Sequence, residues 1–138
     1  MHHKDLEAWK LSMSLVVKIY NLTTSLPDFE RYGLASQICR AAVSIPSNIA
    51  EGCGRNSDKD TVRFLDIALG SSAELETQLL LLEALGYADT KELQQELDKI
   101  IVLIYGLKRY LKQKTTWSLG HEFLDHIIKK EKYRWQNV

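Results

Sequence analysis

The stretch that settles the fold class is Asp89-Thr90-Lys91-Glu92-Leu93-Gln94-Gln95-Glu96-Leu97-Asp98-Lys99-Ile100-Ile101-Val102-Leu103-Ile104-Tyr105-Gly106-Leu107-Lys108-Arg109-Tyr110-Leu111. Within it Leu93, Leu97, Ile100, Ile104, Leu107 and Leu111 recur in steps of four, three, four, three and four. That is the period of a helix with one apolar stripe, not the alternation of a strand. Asp89 and Thr90 stand where capping side chains belong, with Glu92 in the first turn. Lys108, Arg109, Lys112 and Lys114 crowd the other end, where the helix dipole favours cations.

Three more helical patterns precede it. In the first, Asp5 reads as the N-cap and Pro27 as the stop. Leu6, Trp9, Met13, Val16 and Tyr20 form one apolar row, and Leu15, Ile19, Leu22 and Leu26 form a second beside it. Two rows give a wider apolar face than a small monomeric bundle needs. The second pattern opens after Asp28 and runs towards Cys53 through Leu34, Ile38, Ala42, Ile45 and Ile49. Pro46 removes one backbone bond inside it, predicting a kink or break near Ala42 to Ile45, with Ser44 and Ser47 placed to bond freed backbone groups. Gly52 and Gly54 read as its close.

The third pattern starts at Ser57, with Asp60 completing a capping box. Phe64, Ala68, Ser71, Leu75, Leu79 and Leu82 line one face, and Gly86 ends it. The small run Gly70-Ser71-Ser72-Ala73 is costly in mid-helix and predicts close approach by another helix. Short links between four long amphipathic helices predict an all-α, antiparallel up-down-up-down four-helix bundle over residues 1–114. Residues 115–138 form a C-terminal extension, with a short helix expected around Phe123, Leu124, Ile127 and Ile128.

The chain has 138 residues and equal numbers of acidic and basic side chains, 18 of each. One domain with one core fits that length. No apolar run approaches the roughly 20 residues of a membrane span, and the start lacks a signal-peptide layout, so a cytoplasmic location is expected. Charge is unevenly spread. Residues 64–98 hold eight acids against one base, and residues 99–138 hold nine bases against three acids. Packed complementary faces or a basic surface for an anionic partner would each explain that.

Catalytic and metal chemistry have no visible apparatus. The Glu-x-x-His pairs of di-iron bundles are missing, and Glu122 with His126 has the wrong spacing. Gly52-Cys53-Gly54 lacks the Lys-Ser/Thr of a phosphate loop. All four histidines lie in the terminal segments, far from the serines and cysteines of the helices. No enzyme activity, cofactor or metal is expected. One polar constellation remains: Ser44, Ser47, Asn48 and Glu51 share a side of the second helix, with Glu74 on the third as a partner. It reads either as a structural polar layer or as a binding site.

Four stretches resemble a known family. They are Asp5-Leu6-Glu7-Ala8-Trp9-Lys10; Glu30-Arg31-Tyr32-Gly33-Leu34 with Ser36-Gln37-Ile38; Arg40-Ala41-Ala42-Val43-Ser44-Ile45-Pro46-Ser47-Asn48-Ile49-Ala50-Glu51-Gly52; and Arg63-Phe64-Leu65 leading through Ala68-Leu69-Gly70-Ser71 to Glu74-Leu75-Glu76-Thr77-Gln78-Leu79. Over about residues 5–112 the chain is similar to the four-helix-bundle proteins encoded within intervening sequences of bacterial 23S ribosomal RNA genes. It also looks similar to the accessory protein of diversity-generating retroelements, which works beside a reverse transcriptase and binds nucleic acid. The resemblance implies an antiparallel bundle, a homopentameric ring and no enzymatic activity. Cys39 and Cys53 depart from it, standing where Arg and an aromatic residue are expected.

Two functions therefore compete. One is a non-catalytic, ring-forming accessory protein that contacts RNA or DNA through basic side chains. Its candidate contacts are Arg40, Arg55, Lys59 and Arg63, with Lys129, Lys130, Lys132 and Arg134 in the tail beside the stacking rings of Tyr133 and Trp135. The other is an oligomeric scaffold that binds only protein; neither involves a membrane. Cys39 and Cys53, fourteen positions apart on one helix, would be separated by about 21 Å and cannot bridge. Reductant should accordingly leave the thermal unfolding midpoint unchanged, and a large drop would reveal a disulfide.

Overall fold

The structure, a computed structural model, describes residues 1–117. Four helices carry it: α1 (Glu7–Thr23), α2 (Leu34–Cys53), α3 (Asp58–Ala84) and α4 (Lys91–Trp117). Short 3-10 turns precede α1 at His3–Asp5 and α2 at Asp28–Glu30. Each helix packs on its neighbour in sequence, and α1 closes on α4. Thr61 bonds Gly52 and Ser44 bonds Ser71, so α2 and α3 run in opposite directions. Lys108 pairs with Asp66 and Lys114 with Asp58, which sets α3 and α4 antiparallel as well. Lys18 of α1 pairs with Glu96 of α4. The tail beyond Trp117, with the expected short helix, lies outside the described residues.

One core fills the centre. Leu15 and Ile19 of α1, Ile38, Ala42, Ile45 and Ile49 of α2, Leu65, Ala68, Leu75, Leu79 and Leu82 of α3, and Leu97, Ile100, Ile104, Leu107 and Leu111 of α4 are all buried in it. Each large side chain so buried contributes about 1.5–3 kcal/mol. The α4 stripe lies as its spacing predicts, with Leu93 half-buried at the start. Of the two α1 rows, the one with Leu15, Ile19 and Leu26 is buried. In the other, Leu6 is buried, Trp9 and Val16 are half-buried, and Met13 and Tyr20 face outward.

Several helix ends differ from the sequence reading. Leu6, not Asp5, is the N-cap of α1; its extended backbone starts the helix, while Asp5 closes the preceding turn. At the other end α1 stops at Thr23, short of Pro27. The Thr23, Thr24 and Ser25 hydroxyls each donate to the carbonyl three residues back, at 2.7–2.8 Å. The backbone N–H groups of Thr24, Ser25 and Leu26 likewise bond three residues back, so the chain tightens out of the α geometry. Pro46 neither breaks α2 nor ends it: the helix runs unbroken to Cys53, with Gly54 as C-cap.

The α3 ends follow their signals. Ser57 accepts from the Asp60 N–H at 3.2 Å. At the C-terminus Gly86 takes φ +73°, its N–H donates to Glu83 O, and the Tyr87 N–H donates to Leu82 O. That pair of bonds is a Schellman motif, which needs the left-handed residue glycine tolerates. Partial burial and the adjacent Glu30 carboxylate lift the Tyr87 phenol above its ordinary pKa. The α1–α2 and α3–α4 links therefore meet at one end of the bundle.

Thr90 ties α4 to α3. It is fully buried; its hydroxyl donates to the Leu79 carbonyl at 3.0 Å and accepts from Gln94 Nε2 at 2.9 Å. Its N–H donates to Glu83 Oε1 at 3.0 Å. Thr90→Val keeps the volume but leaves the Gln94 amide and the Leu79 carbonyl without this hydroxyl. Urea unfolding should show a loss of about 1–3 kcal/mol, with Thr90→Ser retaining most of the stability. Equal stability of Thr90→Val and the natural protein would show that the hydroxyl contributes nothing.

Candidate nucleic-acid interface

The candidate residues that the structure describes fall on the α2–α3 pair. Near Pro46, Ser44 Oγ lies 2.7 Å from Ser71 Oγ across the two helices. Asn48 Nδ2 donates to the Ser44 carbonyl at 2.8 Å and to its hydroxyl at 2.9 Å. The structure thus joins Ser44 and Asn48 with Ser71, which the sequence placed only on the core face. Ser47 and Glu51 are exposed and stand outside this network. Glu74 is exposed too and accepts from Gln78 Nε2 at 3.3 Å. Gln78 Oε1 is buried without a hydrogen-bond partner among the described residues.

Below this layer the helices come closest at Gly52. A Cβ there would meet Phe64 Cβ at 3.0 Å and the Thr61 carbonyl at 3.2 Å. Thr61 Oγ1 donates to the Gly52 carbonyl at 2.8 Å. Gly52 therefore serves helix packing, not helix termination. The small run on α3 divides differently from expectation. Ser71 and Ser72 face inward, whereas a Cβ on Gly70 would meet nothing within 4 Å.

Arg55, Lys59 and Arg63 gather at the α2–α3 corner. The Arg55 and Arg63 guanidinium carbons lie 4.5 and 4.9 Å from the centre of the same Phe64 ring. Each also meets an acid: Arg55 Nη2 lies 2.8 Å from Glu51, and Arg63 Nε lies 3.6 Å from Asp60. Exposed pairs of this kind contribute little to stability, but they offset the local positive charge. Lys59 is exposed, with no ion pair among the described residues. Arg40 sits on the outer side of α2, fifteen residues before Arg55 and so about 22 Å along the axis. It does not join the corner. Lys129, Lys130, Lys132 and Arg134 lie outside the described residues.

The family model described as 23S rRNA-intervening sequence protein matches residues 4–108. The chain belongs to the 23S rRNA-intervening sequence protein family. No curated protein matches it significantly. In this family member Cys39 and Cys53 are free and half-buried. Cys39 Sγ lies 3.8 Å from Thr23 Oγ1. Burial pushes the Cys53 thiol above its ordinary pKa, with the chain's amino terminus pulling the other way.

Among the described residues no three His, Cys, Asp or Glu side chains gather as a metal site, and no helix is long and apolar enough to cross a membrane. A groove of about 550 Å³ at the α1–α2 link, lined by Tyr20, Arg31, Tyr32 and Cys39 among others, contains none of the candidate residues. Sequence reasoning gave no site role to the last turns of α4. The Lys108–Asp66 and Lys114–Asp58 pairs, at 2.6 and 3.6 Å, bring them beside the corner. Since a side chain at 52 must displace Phe64 or the Thr61 backbone, Gly52→Ala should destabilise by about 1–3 kcal/mol in urea unfolding. An unchanged midpoint would show that the seam can relax freely.

Proposed function

We propose that this family member is a non-catalytic, ring-forming accessory protein of the cytoplasm that contacts RNA or DNA through basic side chains. The observation that carries the ring is the outward row on α1. Met13, Val17 and Tyr20 follow one another at helical spacing and are 44%, 61% and 50% exposed. An apolar row of this kind on a charged protein is suited to burial against another subunit. Five copies are the number the family resemblance implies. In a ring, each α2–α3 corner repeats around the axis, so that modest phosphate sites act together. Arg55, Lys59, Arg63 and the bases of the tail supply those contacts, with Arg40 on the flank.

The neutralised corner favours a second reading. Glu51 and Asp60 already partner Arg55 and Arg63, as a protein-only scaffold would allow. Light scattering coupled to size exclusion separates ring from monomer. Five chains of 15.8 kDa give about 79 kDa, and Val17→Glu with Tyr20→Ser should dissociate them. A 15.8 kDa species at micromolar concentration would remove the ring. Nucleic acid should bind with little sequence preference and weaken steeply with salt, and Arg55→Glu with Lys59→Glu should abolish binding. Absence of any salt-sensitive binding would make the scaffold the correct account.

A further inference from the structure

We infer that the groove at the α1–α2 link seats a second copy of this chain, whose last turns of α3 enter it, so that neighbours in the ring meet α1–α2 face to α3 face. The inference rests on the ring reading above and names the second surface that such a ring requires.

A closed ring joins two different patches on each subunit, because a patch that meets itself stops at a pair. The first patch begins on α1. Met13, Val17 and Tyr20 point outward, and Tyr20 also lines the groove of about 550 Å³ at the α1–α2 link, with Leu26, Pro27 and Tyr32. The apolar row of α1 thus runs into a concave site. The second patch lies on α3, which packs on α2 and α4 as α1 does and so stands diagonal to α1. Near its C-terminal end Leu80, Leu81 and Leu85 are 48%, 45% and 53% exposed. Among the described residues, α2 exposes only Val43 as a large apolar side chain, and α4 only Val102 and Tyr105.

Position and charge match across this contact. Both links lie at one end of the bundle, so in bundles standing side by side the groove and the α3 leucines come level. Gly70, Ala73 and Thr77 continue the outer row of α3 and are exposed. A Cβ on Gly70 would meet nothing within 4 Å, so no helix of its own chain uses the space left by this mid-helix glycine. The bulky α1 row of a neighbour fills it. Arg31 lines the groove beside the Tyr32 ring and forms no ion pair among the described residues, Asp28 of the same groove included. Glu76, one turn before Leu80, is exposed and equally without an ion pair there. The sequence contains no acid between Glu7 and Asp28, so the α1 row presents Glu76 with no like charge. Arg31 of one copy and Glu76 of the next are therefore complementary.

The test is light scattering coupled to size exclusion on the full-length protein, with circular dichroism to confirm that each variant is folded. Leu81→Glu should release the 15.8 kDa chain, while Val102→Glu, the same charge on the outer face of α4, should leave the assembly intact. Arg31→Glu sets an acid against Glu76 and should raise the concentration of half-dissociation by about 10-fold. Glu76→Arg should do the same, and the two changes together should restore the natural value. Should Leu81→Glu lose its helical signal, the charge-reversal set decides alone. If the natural protein assembles but Leu81→Glu assembles equally well, or the double reversal stays as weak as the single ones, α3 does not enter the groove and the ring closes through another surface. If the natural protein is a monomer, the ring and this contact fall together.

Discussion

A Cβ on Gly52 would sit 3.0 Å from the Cβ of Phe64, and the rest of the bundle depends on that closeness. It lets the last turn of α2 lie against the first turn of α3, with the Thr61 hydroxyl bridging to the Gly52 carbonyl. Ten residues further along α3, Ser71 meets Ser44, and Asn48 holds Ser44 from its own helix. The seam thus has a steric contact at one end and a polar contact in the middle. Together they specify how far apart the helices lie and which residues face each other. Apolar burial alone would tolerate a slip of one turn; a serine pair matched across the two helices does not.

The candidate residues of the α2–α3 corner are placed relative to that seam. Setting Phe64 against Gly52 positions the ring on which Arg55 and Arg63 rest. Setting the register of α3 also sets the register of α4, through Thr90 at one end and the Lys108–Asp66 and Lys114–Asp58 pairs at the other. The bases at the end of α4 and those of the corner, remote in sequence, consequently occupy one end of the molecule. Acids of the α3–α4 link and the start of α4, Asp89, Glu92 and Glu96 among them, lie at the opposite end. The zero net charge of the chain conceals this division, which is a property of topology and not of composition.

Much of this was legible wherever a local rule had no competitor. The α4 stripe, the Ser57 cap and the Gly86 stop each follow from spacing or backbone preference, and the structure places them accordingly. The failures share a cause: the deciding partner is elsewhere in the chain, or a neighbouring side chain competes for the backbone. Asp5 resembles a cap, but the turn before α1 uses it, so Leu6 starts the helix. Three successive hydroxyls end α1 before Pro27 can. Of the kink or break expected at Pro46, the break does not occur, because the residues around it are held by the core and α2 continues through it. Gly52 looks like a terminator in sequence and is a packing residue in space. The outward turn of Met13 and Tyr20 could not be told from spacing, since either α1 row could have faced the core. The same limit applied to the α4 bases, whose neighbours appear only after α3 is docked.

The account makes the α2–α3 seam a specific interaction and not simply apolar contact. A double-mutant cycle on Ser44→Ala and Ser71→Ala, measured by urea unfolding, tests that most directly. A mutual hydrogen bond predicts that each single change costs more than its share of the double, with a favourable coupling of about 0.5–1.5 kcal/mol. Additive losses with no coupling would contradict the claim and leave the register of the bundle to hydrophobic burial alone.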